Sequence, residues 1–425
     1  MHSVRRKFMQ QTAAIGALAV TRHGELPQAS AAPTGGNRAV KPCLITIYLR
    51  GGADALSVVV PFGDPHYGRH RPSLMLTAPQ AGDPETRVLP LDDIFGFNPR
   101  MKELHALYEA GSCAPIVAVG SPDPTRSHFD AQDYMERGAP GQKSVTTGWL
   151  NRYLQATRTS RDANLRAVSL QSLLPRSLRG QYPVLAKPQS AAEQALKVYS
   201  SMYMEQESAK GRSAGKSAQR AVQALGARSI EQLHELTTIL RAETPAPVKY
   251  PTTQFGQQMR DIAKLIKADC GLEVAGLDYG GWDHHIQEGP LRGQMGRQLG
   301  DLSGGIGAFA EDLGQDRLQH VLVLVMTEFG RTVKENDNQG TDHGHGGFML
   351  AVGGKIQGKQ VHGRWTGLAD DQLYENRDLP VHTDFRTVFA EVLQGMFGFD
   401  GLARKAFPGY AAPQPGLNFL RRNGA

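Results

Sequence analysis

Residues 321–326 (VLVLVM) form a continuous Val/Leu run, and Glu328 and Gly330 follow it at once. A run of this kind reads as a parallel strand buried on both faces. Two other stretches repeat the arrangement. Residues 44–49 (LITIYL) lead into Arg50-Gly51-Gly52-Ala53-Asp54, and residues 271–277 (GLEVAGL) lead into Asp278-Tyr279-Gly280-Gly281-Trp282-Asp283-His284-His285. Each strand delivers a carboxylate just past its end: Asp54, Asp283 and Glu328. Open α/β sheets bind ligands at that edge.

Between these strands the sequence has helical spacing, so the expected fold is α/β, a three-layer sandwich around a central, mostly parallel sheet. Asn98-Pro99 reads as a helix start, with Asn as cap and Pro in the first position, and Gly111 as the stop. Further helices are expected over 128–137, 149–156, 254–268, 290–313 and 384–397, and further strands over 114–119, 165–170, 182–186 and 348–352. From 188 to about 250 the chain is rich in Ala, Gln, Ser, Glu and Lys with no strand signal, which predicts a helical insertion of two or three helices. Residues 211–216 (GRSAGK) read as a mobile turn. Their glycine-to-lysine spacing does not fit a phosphate loop, and no strand precedes them.

The first 31 residues read as a processing segment. Arg5-Arg6-Lys7-Phe8-Met9 is a twin-arginine pattern, a mild apolar run follows over 13–20, and Ala29-Ser30-Ala31 offers a small-residue cleavage site. The expected organisation is a signal at 1–31, a Pro/Gly-rich linker at 32–42 and one domain over 43–425. The implied partner is the twin-arginine export machinery, and the implied location is periplasmic or extracellular. No stretch is long and apolar enough to span a bilayer. The formal charge of +6 includes four basic groups and one acid from the first 31 residues. The remainder is too weakly basic to argue for nucleic acid. Cys43, Cys113 and Cys270 have neither zinc-site spacing nor an even count, so free thiols are expected.

The chemistry-bearing residues cluster late in the chain. In Asp283-His284-His285 an extended backbone puts 283 and 285 on one face and 284 on the other, so Asp283 and His285 are the candidate metal ligands. In Thr341-Asp342-His343-Gly344-His345, Asp342 and His343 are further candidates and His345 a weaker one. Asp54 and Glu328 complete the carboxylate set. Carboxylate and imidazole without thiolate suit Zn, Mn or Mg. Thr125 and Ser127 lie at a helix start that favours negative charge, and either hydroxyl, near a metal, is a candidate nucleophile. Arg126 and Arg331 are candidates to hold an anionic group, with pairing to Glu335 the alternative for Arg331.

Together, LRGGADALSVVVPFGD, SHFDAQDYMERG with GWLNRYL, LDYGGWDHH, VMTEFGRT with TDHGHGGFMLAVGG, and HTDFRTVFAEVL resemble the exported "domain of unknown function 1501" family. That family is similar in fold to the alkaline phosphatase and sulfatase superfamily. The resemblance implies a sheet of about eight to ten strands with a two-metal site at its carboxyl edge. Asp54 then corresponds to the first-strand metal aspartate, Ser127 or Thr125 to the nucleophile, Asp283 with His285 to the Asp/His metal pair, and Glu328, Asp342 and His343 to the Asp-His-Gly region. Two departures stand out: the Asp/His pair is spaced by one residue rather than three, and Phe329 stands where a metal histidine is usual. The expected function is an exported, metal-dependent hydrolase of phosphate or sulfate esters acting on a small anionic ester. The alternative is a non-catalytic periplasmic binding or secretion-partner protein that keeps the fold.

Overall fold

The computed structural model describes residues 41–187, 216–398, 401–411, 413 and 415–421. The signal and most of the linker, the 211–215 part of the predicted turn and the first part of the insertion lie outside the described residues. The strands are β1 (Cys43–Arg50), β2 (Val59–Val60), β3 (Leu89–Pro90), β4 (Gly96–Phe97), β5 (Cys113–Gly120), β6 (Ala167–Ser169), β7 (Leu185–Ala186), β8 (Val274–Gly280), β9 (Val321–Thr327), β10 (Gly347–Gly353) and β11 (Thr383–Asp384). Eight of them form the main sheet in the order β11-β5-β10-β9-β1-β8-β6-β7, and β2, β4 and β3 form a small separate sheet. In the main sheet only β10 runs against its neighbours, β5 and β9. The other pairings are parallel.

The longer helices are α1 (Lys102–Glu109), α2 (His128–Arg137), α3 (Trp149–Ala156), α4 (Lys216–Arg241), α5 (Gln254–Lys267), α6 (Gln294–Leu318, broken at Gly314) and α7 (Phe385–Phe397). Alternation along the strands sends side chains to opposite faces of the sheet. On β9, Val321, Val323 and Val325 join a core with α1, α5 and α6, including Leu104, Met259 and Leu302. Leu322, Leu324 and Met326 join a second core with α2, α3 and α7, including Met135, Leu150 and Phe389. These two cores make the three layers. Burying a strand on both faces requires the near-continuous apolar runs that the sequence shows.

Two expectations about helix bounds are corrected. The first long helix begins at Lys102 rather than at Pro99, because Asn98 does not cap it. The Asn98 amide instead donates to the carbonyls of Ser57 (2.9 Å) and Pro290 (3.0 Å), which ties the small sheet to the turn before α6. Of the insertion expected over 188–250, residues 188–215 lie outside the described residues; the described part holds one helix, α4, and residues 242–250 after it are not helical. The helix expected over 290–313 starts at Gln294 and runs on to Leu318. Trp149 and Trp282 are core residues, and Trp149 stacks on Phe389 with ring centroids 4.5 Å apart. Cys43, Cys113 and Cys270 are free, and burial raises the thiol pKa of each. Among the described residues no helix is long and apolar enough to cross a membrane.

Candidate metal centre

Parallel pairing fixes where the carboxyl ends of β1, β8 and β9 lie. Leu49 pairs with Thr327, and Arg50 with Gly280. Glu328, Gly51 and Gly281 therefore stand side by side at one edge. β5 runs parallel to these strands, because β10 reverses direction between β9 and β5. The loop after Gly120 leaves from the same edge and brings in the start of α2, His128. Residues 329–332 and 342–346 lie against each other through Thr332 N–H to Asp342 O (2.9 Å), Gly330 N–H to His345 O (3.0 Å) and Gly344 N–H to Gly330 O (2.8 Å). This approach needs glycine at 330, where a Cβ would stand 1.8 Å from the Gly346 carbonyl oxygen. Gly51 has φ +122°, and a Cβ there would meet the Asp283 amide nitrogen at 2.6 Å, so glycine lets the 282–285 segment close over β1.

These segments bring the His128 and His343 imidazoles and the Asp283 carboxylate to one point, with His285 beside His343 and Asp283. The Nε2 atom of His343 lies 3.0 Å from Nε2 of His128 and 3.0 Å from Nε2 of His285. The Oδ1 atom of Asp283 lies 3.0 Å from His285 Nε2, 3.3 Å from His343 Nε2 and 3.5 Å from His128 Nε2. His128, Asp283 and His343 each offer a ligand atom within 4.8 Å of the other two.

The other ring nitrogens determine what these four atoms are. His343 Nδ1 lies 2.8 Å from the Arg126 carbonyl oxygen, which can only accept, so Nδ1 carries the hydrogen. His128 Nδ1 lies 2.7 Å from Glu328 Oε1, and His285 Nδ1 3.0 Å from Asp342 Oδ1. Burial acts to raise both acids, but hydrogen bonds from His128 and His285 hold Glu328 and Asp342 below the ordinary carboxylate range, so both are acceptors. In the neutral rings all three Nε2 atoms are then lone pairs aimed at a carboxylate oxygen. Such a donor set is stable only around a cation or shared protons, and a tautomer held by an oxygen acceptor is the usual support for a metal-binding histidine. The triangle of 3.0, 3.3 and 3.5 Å fits the separation of about 3.3 Å between ligands on a tetrahedral zinc with bonds of about 2.0–2.1 Å.

The electrostatics of Asp283 and His343 agree. Burial opposes ionisation of Asp283, but the hydrogen bond and charge of Arg331, then His285 and His128, lower its pKa to about 2. Burial lowers His343, which keeps that ring neutral. The Glu328 hydrogen bond raises His128. Phe329 forms the floor, its ring 4.8 Å from His128 and 5.1 Å from His343 between centroids.

Five of the ten expected site residues sit elsewhere than expected. Asp54 is buried and both its oxygens are held by Arg71, at 2.7 and 3.0 Å, so it faces a guanidinium rather than the cluster. Glu328 supports the cluster from behind: Oε1 accepts from His128, Gln132 (2.8 Å) and the Gly51 amide (2.9 Å), and Oε2 from Thr327 (3.1 Å). Asp342 likewise sits behind His285. Arg126 binds Asp378 at 2.6 Å and Glu375 at 2.6 Å instead of presenting itself to an anion. Arg331 is fully buried against Asp283 (2.5 Å) and the carbonyls of Gly51, Gly52, Trp282 and Thr341. Its suggested partner Glu335 instead accepts from the Ser73 and Leu74 amides. Asp283, His285 and His343 do converge. Thr125 Oγ1 accepts from the Ser127 amide at 3.2 Å. Ser127 occupies the helix cap position, exposed, with a hydroxyl that makes no capping bond. His284 turns inward to Gln298 (2.9 Å), and His345 stacks on Tyr374. His128 had no sequence signal as a ligand beyond its place in the first turn of a helix after a strand.

Behind the cluster lies Glu288, buried, accepting from Ser57 at 2.7 Å and Thr341 at 3.0 Å. Burial and then the Asp54 carboxylate push its pKa from 4.5 up to about 8. A folded value above the unfolded one means this group's contribution is complete below about pH 4 and is lost as pH rises towards 8. Glu288→Gln is expected to flatten the fall in Tm between about pH 5 and pH 8. Equal pH slopes in variant and parent would count against the buried neutral carboxyl.

The family model described as "Protein of unknown function (DUF1501)" matches residues 41–406. The chain belongs to the DUF1501 family. Among curated proteins, none matches it. Of solved structures, this DUF1501 chain is similar to the C-terminal periplasmic domain of EcEptC from Escherichia coli, determined in complex with Zn, at 8% identity and a TM-score of 0.33, covering 74% of this chain and 73% of that one. It is also similar to the PsFucS1 sulfatase from Pseudoalteromonas sp., at 12% identity and a TM-score of 0.33, covering 76% of this chain and 64% of that one.

Proposed function

We propose that this chain is an exported hydrolase of phosphate or sulfate esters that works with one divalent metal, zinc fitting the donor set best. The observation that carries this reading is the convergence of His128 and His343 Nε2 with Asp283 Oδ1, each ring held by an oxygen on its far side, with His285 next to them. Two imidazoles and one carboxylate favour zinc over magnesium. A metal held there supplies Lewis-acid polarisation of an ester oxygen.

The chain's own residues do the rest. Arg331 keeps Asp283 ionised and aimed inward. Glu328, Asp342 and the Arg126 carbonyl hold the three rings in the ligand tautomer. Ser127, next to His128 at the start of α2, is the leading nucleophile, with Thr125 or a water as the other choices. The helix start favours the negative charge that develops there. Export by the twin-arginine route belongs to the same proposal, and a mature chain retained in the cytoplasm with its first 31 residues attached would oppose it.

The test is turnover of aryl phosphates and aryl sulfates by the zinc-loaded chain. Asp283→Ala is expected to remove turnover, and Ser127→Ala to lower kcat by about 100-fold or more if its hydroxyl attacks. A second reading, a non-catalytic binding or secretion-partner protein, is favoured by one feature: Arg126 and Arg331, the expected anion clamps, are both engaged with acids. Bound metal without turnover on either ester class would select it.

A further inference from the structure

We propose that Arg50 and Gln132 are positioning residues of the metal centre, and that both act on His128 through Glu328. The inference rests on the metal reading above and extends it by two side chains. His128, Gln132 and Glu136 recur at every fourth position of α2, so they lie along one face of the helix. That face meets the ends of β1 and β9. Glu328, fully buried, takes His128 Nδ1 at 2.7 Å and Gln132 Nε2 at 2.8 Å on the same oxygen, Oε1. Arg50, the last residue of β1, donates through Nη1 to Gln132 Oε1 at 3.3 Å and to Glu136 Oε2 at 2.8 Å. One guanidinium thus joins two members of the stripe to the strand end that carries Gly51, whose amide also donates to Glu328 Oε1, at 2.9 Å.

Donor and acceptor chemistry fixes the order of these contacts. A guanidinium only donates, so Gln132 turns Oε1 to Arg50 and its amino group to Glu328. Turned the other way, its amide would set one acceptor oxygen against another at a buried carboxylate. Arg50 itself is held on three sides, by Glu136, by Asp278 at 2.9 Å and by the Tyr48 ring, whose centroid lies 3.9 Å from its Cζ. The series Arg50, Gln132, Glu328, His128 ends at His128 Nε2, 3.0 Å from His343 Nε2. Loss of the Gln132 amide frees Glu328 to turn, and the His128 ring turns with it.

The experiment measures zinc affinity of the full chain by competition with a chromophoric chelator, in the parent, Gln132→Met, Glu328→Gln and the double variant. Methionine keeps the length of Gln132 and removes its amide. Gln132→Met is expected to weaken zinc binding about tenfold, the low end of the loss for a group behind a ligand. Once Glu328 is glutamine, it is expected to add nothing beyond about twofold. Arg50→Met/Glu136→Gln, which removes both charges of that pair together, is expected to weaken binding by a factor similar to Gln132→Met. The 15N resonance of His128 Nδ1 reports the Glu328 bond directly and is expected to move in Gln132→Met. Losses that multiply in the double variant, an unmoved resonance, or zinc held by Gln132→Met or Arg50→Met/Glu136→Gln as tightly as by the parent, would overturn the inference and leave the metal reading standing. A parent chain that binds no zinc overturns the metal reading and the inference with it.

Discussion

His343→Ala is expected to lose more metal affinity than any other single substitution in the chain. Its Nε2 lies 3.0 Å from His128 Nε2 and 3.3 Å from Asp283 Oδ1, the other two donors, and 3.0 Å from His285 Nε2. Removing a partner behind a ligand costs about 10–100-fold in affinity, so Glu328→Gln, which leaves His128 in place but weakens its anchor, sets the scale. His343→Ala should exceed that loss clearly, with Glu328→Gln intermediate. Competition with a chromophoric chelator measures both. If the two variants and the parent hold zinc alike, His343 is a polar loop residue and the convergence has no metal to explain it.

The second large effect is on stability. Arg71 is buried, pairs with both Asp54 oxygens and donates to the carbonyls of Val333 (2.6 Å) and Thr332 (2.9 Å). Burial works against both charges, and their mutual attraction keeps Asp54 ionised and raises Arg71. Arg71→Met removes one partner and leaves Asp54 beside Glu288, a second buried acid. Breaking a buried pair from one side costs about 3–5 kcal/mol, which lowers Tm by about 5 °C in a chain of this size. Asp54→Asn/Arg71→Met should recover part of the loss, since both charges then go. A single variant that melts with the parent would show that the pair carries no such weight.

The same pair explains where reading the sequence ran out. The buried strands, and the helices over 128–137 and 149–156, were legible because an apolar period or a glycine stop marks each one. That Asp283 and His285 meet, at 3.0 Å, was legible because alternation in a short segment ties positions two apart to one face. Arg71 was not. It lies in the irregular region between residues 63 and 95, where no period assigns a side chain to a face, so nothing linked it to Asp54. Read alone, an aspartate after the first strand looks like a ligand, and only the fold reveals the guanidinium that neutralises it. Glu328 failed differently. Its position at the strand end is as expected, but parallel register sets it beside Gly51, where the backbone amide, Gln132 and His128 claim its oxygens. His128 was missed for the opposite reason: one histidine in the first turn of a helix has no spacing to read, and its role depends on β10 reversing the sheet so that β5 ends at the site's edge.

The central claim is that two imidazoles and one carboxylate, His128, His343 and Asp283, from segments far apart in sequence close on a single ion. X-ray absorption at the zinc edge of the purified, zinc-loaded chain tests it most directly, with metal content from the same sample. The account predicts one zinc per chain in a shell of nitrogen and oxygen at about 2.0–2.1 Å, with the multiple-scattering signature of imidazole, weakened in His343→Ala. Zinc bound without imidazole scattering, or no zinc retained at all, would contradict it.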